Sequence, residues 1–236
     1  IAASGSISGG GVATYVNGNL GKAFNTGAGQ SFTFTVGDTS NFTPLGITSM
    51  TVGTAGSLVA TTTAGDHPNI PTSDIDFFKS VNRYWTLTAG GGLVASTYSG
   101  TFNFVSGDVD AGANTPAFAV RKYTSSIWTA PPGGNATGST YTTGNGFTSF
   151  GDFAVGELKG PPSVTAVGLY QNDRTTTVTA MTPQVEYAVK VSVTNYPYNL
   201  GELTSVYVTI YYDAGGTYVP ANVPGSGNTQ TAAILT

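Results

Sequence analysis

Hydrophobic and polar positions alternate along most of this chain in short stretches set apart by glycine, proline and asparagine. The clearest is Lys79–Thr88, KSVNRYWTLT. Val81, Arg83, Trp85 and Leu87 take one side of an extended backbone there, and Asn82, Tyr84, Thr86 and Thr88 the other. A period of two with β-branched and aromatic residues predicts a strand. It carries one of the two tryptophans, so it is expected to lie centrally with Trp85 in the core. Arg83 shares the Trp85 side, which calls for a carboxylate partner; Asp74 and Asp76 are the nearest candidates.

The same pattern predicts strands over Val12–Val16, Gln30–Val36, Pro44–Val52, Ser57–Thr63 and Ala95–Val105. A hairpin is expected from Ala117–Tyr123 and Ser126–Thr129, and a further strand over Thr148–Val155. Ala64–Phe78 reads as a proline-broken loop whose end, Asp74–Lys79, can form one helical turn. Pro131–Gly146 reads as a Gly/Thr/Asn loop. Lys159-Gly-Pro-Pro-Ser163 disfavours helix and central strand alike, and marks a stiff linker. Beyond it, strands are expected over Val164–Tyr170, Thr175–Met181, Val185–Thr194, Leu203–Tyr212, Thr217–Val219 and Thr229–Leu235. The expected fold is all-β, with two tandem β-sandwiches: residues 1–159, jelly-roll-like, and residues 163–236, immunoglobulin-like. The second has five or six strands where an immunoglobulin-like sandwich has about seven, so either the chain is truncated or a neighbouring subunit supplies the missing strand.

Composition narrows the classes. Only 8% of residues are charged, and the net charge is −4. The longest basic run is Arg121–Lys122, which argues against binding nucleic acid, whose phosphates ask for a basic stripe. There is no cysteine, hence no disulfide and no thiolate metal site. The sequence lacks an apolar run long enough for a membrane-spanning helix. IAASGSISGG has neither a methionine nor a charged leader, so this end is read as processed, or as the edge of a fragment.

Few residues offer chemistry. His67 is the sole histidine and stands before Pro68 in an acidic turn with no Gly-x-Ser-x-Gly elbow elsewhere. It is expected to cap a turn or sit at the surface, not to serve a nucleophile. Asp74/Asp76 and Asp108/Asp110 are carboxylate pairs two residues apart, about 6.5–7 Å on a strand. Glycosidase pairs fall near that range, but a sugar cleft also needs exposed aromatics, and here the aromatics alternate into cores. No cofactor is expected except calcium. Asp108, Asp110 and Asn114, around Gly112, offer the hard oxygen ligands that calcium accepts, though the spacing departs from an EF-hand and lacks its terminal glutamate. An Asx-rich turn bonding its own backbone is the other reading. Tyr196, Tyr198, Tyr207, Tyr211, Tyr212 and Tyr218 suit a subunit interface or a sugar platform.

The pieces VNGNLGKAF, SFTFTVGD, AGDHPNI, KSVNRYWTLT, TFNFVSGDVDAGAN and TSFGDFAVGE resemble, in order and spacing, modules of long repetitive surface proteins of Bacteroidota and related bacteria. PPSVTAVGLYQ, TTTVTAMTPQVEYAVKVSVT and LGELTSVYVTIYYD look like an immunoglobulin-like domain of surface-layer or adhesin proteins. The resemblance implies an exported, cell-surface location and stacked modules, and it carries no catalytic residues. The expectation is therefore a structural surface protein and not an enzyme. It would be a filament, layer or adhesin-stalk subunit whose copies, or adjacent modules of a longer chain, join by β-strand addition. Expected interface residues are Ile7, Val12, Tyr15 and Val16 near one end, and Ala233, Ile234 and Leu235 near the other. The alternative is a carbohydrate-binding module, with or without calcium.

Overall fold

A computed structural model of the chain describes residues 1–160, 163–171, 173, 175–177, 179, 187–194, 211–213 and 218–220. The chain divides into two compact units, Ile1–Lys159 and Gly160–Thr236. The described residues are all-β, interrupted by three short 3-10 turns, Ile70–Thr72, Ser106–Asp108 and Thr115–Ala117. None of the helices among them is long and apolar enough to cross a membrane.

In the first unit the strands run β1 (Val16–Asn17), β2 (Leu20–Phe24), β3 (Gly27–Phe34), β4 (Val36–Gly37), β5 (Leu45–Thr54) and β6 (Gly56–Ala64). They continue as β7 (Ile75–Gly90), β8 (Val94–Asn103), β9 (Ala119–Thr124), β10 (Ile127–Thr129), β11 (Asn135–Thr137), β12 (Tyr141–Phe147) and β13 (Asp152–Leu158). An antiparallel six-stranded sheet has the order β10-β9-β13-β7-β6-β2, and a five-stranded one the order β11-β12-β8-β5-β3. A short parallel pair, β1 with β4, stands beside them.

The alternation on β7 decides how the sheets meet. Val81, Arg83, Trp85 and Leu87 are all buried, while the intervening Asn82, Tyr84 and Thr86 are half-buried. Trp85 meets Phe102 of the opposite sheet with ring centroids 5.5 Å apart, and Phe102 meets Phe153 at 4.7 Å. The Trp85 indole N–H donates to the Thr43 carbonyl at 3.1 Å, just before β5, so the two sheets are joined by a polar bond as well as by packing. Across the same core the buried Tyr98 hydroxyl donates to the Ser149 carbonyl at 2.8 Å.

Several expectations need correcting. Pro131–Gly146 is no loop: it holds β11 and most of β12. Its inward positions are Thr142 and Gly144, too small for the hydrophobic pattern to show, and a Cβ on Gly144 would lie 2.5 Å from the Phe147 ring and 2.6 Å from Val120. Strand β2 was hidden because the middle of its buried Leu20-x-Lys22-x-Phe24 row is a lysine. Asp74–Lys79 makes no helical turn; β7 already begins at Ile75, and the turn forms earlier at Ile70–Thr72. Val12–Val16 is not one strand either. Gly11 and Thr14 exchange backbone bonds of 2.9 Å, so the chain doubles back with Val12 85% exposed at the tip, and pairing starts at Val16.

In the second unit β14 (Ser163–Gln171) pairs antiparallel with β15 (Tyr187–Thr194), and β16 (Tyr211–Asp213) with β17 (Tyr218–Pro220). Thr177 bridges to Tyr170. Thr229–Leu235 and most of Leu203–Tyr212 lie outside the described residues.

Candidate functional site

The acidic turn after β8 is bound to β7 at both of its aspartates. Asp108, buried in its 3-10 turn, receives Arg83 Nε at 2.7 Å and Nη2 at 3.3 Å. The fully buried Arg83 also meets Asp38 at 2.7 Å and Thr62 at 3.2 Å. Asp74 and Asp76 are therefore not its partners. Asp74 receives Arg121 Nε at 2.8 Å, at the sheet's exposed end, and Asp76 accepts the Phe78 N–H. The reason is the alternation itself, because Arg83 points into the sandwich and only an inward-turning loop can bring it an anion. For Asp38, burial pushes the carboxyl up. The N–H groups of Ser40 and Asn41, together with Arg83, outweigh it and hold the group below the usual carboxylate range.

Asp110 turns the other way. Its Oδ2 accepts the Ser80 N–H at 2.8 Å, and its Oδ1 accepts the Asn82 amide at 2.7 Å. Asn114 uses its backbone N–H, which donates to Glu157 at 2.5 Å. The three residues read as calcium ligands are thus not gathered on one centre: Asp108 is consumed by a buried guanidinium, and Asp110 by β7. Among the described residues no group of three or more His, Asp or Glu could hold a metal ion. Nor does the turn bond its own backbone through these side chains: Asp108 and Asp110 bond Arg83, Ser80 and Asn82 of β7, 25 to 30 positions earlier.

His67 is not at the surface. It is 4% exposed and caps its own turn, since the Asn69 N–H donates to its Nδ1 at 3.1 Å. Accepting at Nδ1 puts the ring proton on Nε2, which donates to Asp152 at 3.1 Å, while Thr86 donates to the other Asp152 oxygen at 2.7 Å. The rings of Tyr84, Tyr123 and Trp128 surround it at 5.0, 4.9 and 5.0 Å. Below them Ile70, Ile75 and Ala154 form a second small core on the outer side of the six-stranded sheet. The Asp66–Ser73 loop lies over this face as satellite cores do beneath long loops, leaving Tyr84, Tyr123 and Trp128 half-buried.

The remaining site is the segment before β2. It lies along the side where β2 ends one sheet and β3 ends the other. The Ile1 nitrogen donates to the Gly21 carbonyl at 2.6 Å, and the Ala23 N–H donates to the Ile1 carbonyl at 2.9 Å, extending the β2 edge. Buried Lys22 donates to the carbonyls of Ala2 and Ala3 at 2.7 and 2.5 Å, with its ammonium 5.5 Å from the rings of Phe24 on β2 and Phe32 on β3. Ile7 and Val16 pack against the main core. Val16 donates to the Thr35 carbonyl at 2.9 Å, and Tyr15 meets Phe42 at 5.6 Å. Of the expected interface residues, Ile7, Tyr15 and Val16 thus touch this chain's own body and Val12 is exposed, while Ala233, Ile234 and Leu235 lie outside the described residues. Lys22 escaped sequence reading; the signal was a lysine in the middle of an inward-facing alternation. No protein-family model, curated protein or solved structure matches the chain.

Proposed function

We propose that this chain is a structural module of an exported bacterial surface assembly, a filament, layer or adhesin stalk, whose copies join by β-strand addition. In this reading the first unit is a jelly-roll-like sandwich and the second an immunoglobulin-like one. The observation that carries it is the seam occupied by Ile1–Val16. The segment bonds by its backbone to the edge of β2 at Ile1 and beside β4 at Val16, turning between them at Ala2–Gly5 and Gly11–Thr14, and these end contacts are of the kind that strand addition uses. Supporting it, the aspartates that suggested chemistry are tied to Arg83, Ser80, Asn82, Arg121 and Phe78, and the histidine is a core residue. A directional contact of this kind, repeated head to tail, builds an open polymer. Sedimentation and electron microscopy of the native protein test it: extended particles of many copies are expected, and a monodisperse monomer at all concentrations would reject it.

A further inference from the structure

We propose that the segment Ile1–Asn17 is the exchanged strand, seated in the seam of a second copy of this chain with its Ala2 and Ala3 carbonyls on that copy's Lys22. This rests on the strand-addition reading and names its donor and acceptor. The seam's backbone and ammonium bonds to the segment come from a compact stretch of the body, Gly21 to Gly37. Every copy therefore presents the same receptor to a neighbour as to itself.

Three features fit an exchangeable strap. The link between strap and body is Asn17-Gly18-Asn19, with Gly18 at φ +120° and nothing near the place of a Cβ; that backbone suits a hinge. The strap's seam is open to solvent on one side. An open depression of about 310 Å³ lies beside it, lined among others by Ile1, Ile7, Tyr15, Val16, Leu20 and Thr35. The strap also carries no charged side chain.

The receptor selects this sequence over an arbitrary strand. Lys22 is buried and needs bare carbonyls within reach, which an Ala-Ala pair leaves open. At Gly10 an added Cβ would lie 2.4 Å from Thr35 Cγ2 and 2.9 Å from its Cβ, so the seam closes only over a glycine there. A domain swap of one segment keeps all its contacts and changes only whose body supplies them.

The test uses the full chain with Val16→Cys and Val36→Cys. These residues are register partners of β1 and β4, and paired strands lie about 4.8 Å apart, within the span a disulfide bridges. The parent has no cysteine, so a link reports only this pair. After oxidation a ladder of covalently joined chains is expected on a non-reducing gel, with particle size followed in parallel by sedimentation. Large particles whose chains are each closed on themselves would overturn the exchange while leaving strand addition through another strand; a closed monomer would overturn both. Gly10→Val, at an exposed position outside the core, and Lys22→Met each loosen the seated strap and are expected to speed mixing of two dye-labelled populations about tenfold or more. Unchanged mixing in both would reject the strap as donor.

Discussion

Arg83 sets the local logic of the first unit. A guanidinium with no exposed surface is tolerable only when its donors are matched by anions, and Asp38, Asp108 and Thr62 supply that match from three separate loops and strands. Removing one partner leaves charge stranded, so Asp108→Ala should cost about 3–5 kcal/mol of stability. Urea unfolding checks it, and a loss below about 1 kcal/mol would mean that water reaches Arg83. The carboxylates also give stability a shape in pH. Asp38 lies below its ordinary value of 3.8, so its contribution is intact above pH about 4 and disappears as the pH falls through the lower folded value. Asp66 lies above 3.8, raised first by burial and also by the charge of Asp110, with the bond from the Ser80 hydroxyl pulling the other way. Its ionisation is a penalty, absent below its ordinary value and complete above the raised one. Stability should therefore climb as the pH falls through the raised Asp66 value toward 3.8, then drop as it falls further. Asp66→Asn should flatten the climb and spare the drop, and thermal melts across that range would show it. An unaltered climb would assign it to another group.

At the level of elements, β7 and β13 show where local pattern is sufficient and where it is not. Their register is interrupted between Ala154, Gly156 and Leu158, with Gly156 opposite Ser80. A Cβ at buried Gly156 would stand 2.9 Å from the Ser80 Cα and 2.6 Å from Ile75 Cγ2, so the close approach of the two strands depends on the missing side chain. Gly156→Ala should destabilise by about 1–3 kcal/mol, whereas Gly107→Ala, with open space around its Cβ position, should do little; chemical denaturation of both separates them. Strands whose inward positions are large and apolar were legible: Trp85 and Leu87 on β7, Phe102 on β8, Leu58 on β6. Those whose inward positions are Lys22, or Thr142 and Gly144, were not, because their burial is decided by a partner far along the chain. The same holds for the sites. That His67 would cap its turn follows from its neighbours, but its contact with Asp152, 85 positions away, is a product of sheet order. Arg83 announced a need for an anion; only the path of the loops determined that Asp38 and Asp108 would answer it.

For the whole molecule, the scarcity of charge constrains how copies can associate. With 8% charged residues and a net charge of −4, the chain offers neither strong self-repulsion nor a one-signed field to steer a partner. Among the first unit's ion pairs, Arg83 with Asp38 and Asp108 has no exposed guanidinium surface, so salt screens it little. An association built on backbone pairing at the β2 edge and on apolar contact of Ile7 and Val16 should thus ignore simple salt. Raising sodium chloride from about 0.05 to about 0.5 M is expected to change the assembled fraction less than about twofold. Sulfate at equal ionic strength should change it as little, because an exchanged strap buries the same apolar surface in a neighbour's seam as in its own. Sedimentation at matched protein concentration follows both salts. Assembly that dissolved in sodium chloride would instead point to the pairs with an exposed member, Arg121 with Asp74 and Lys79 with Glu157, and away from the strap.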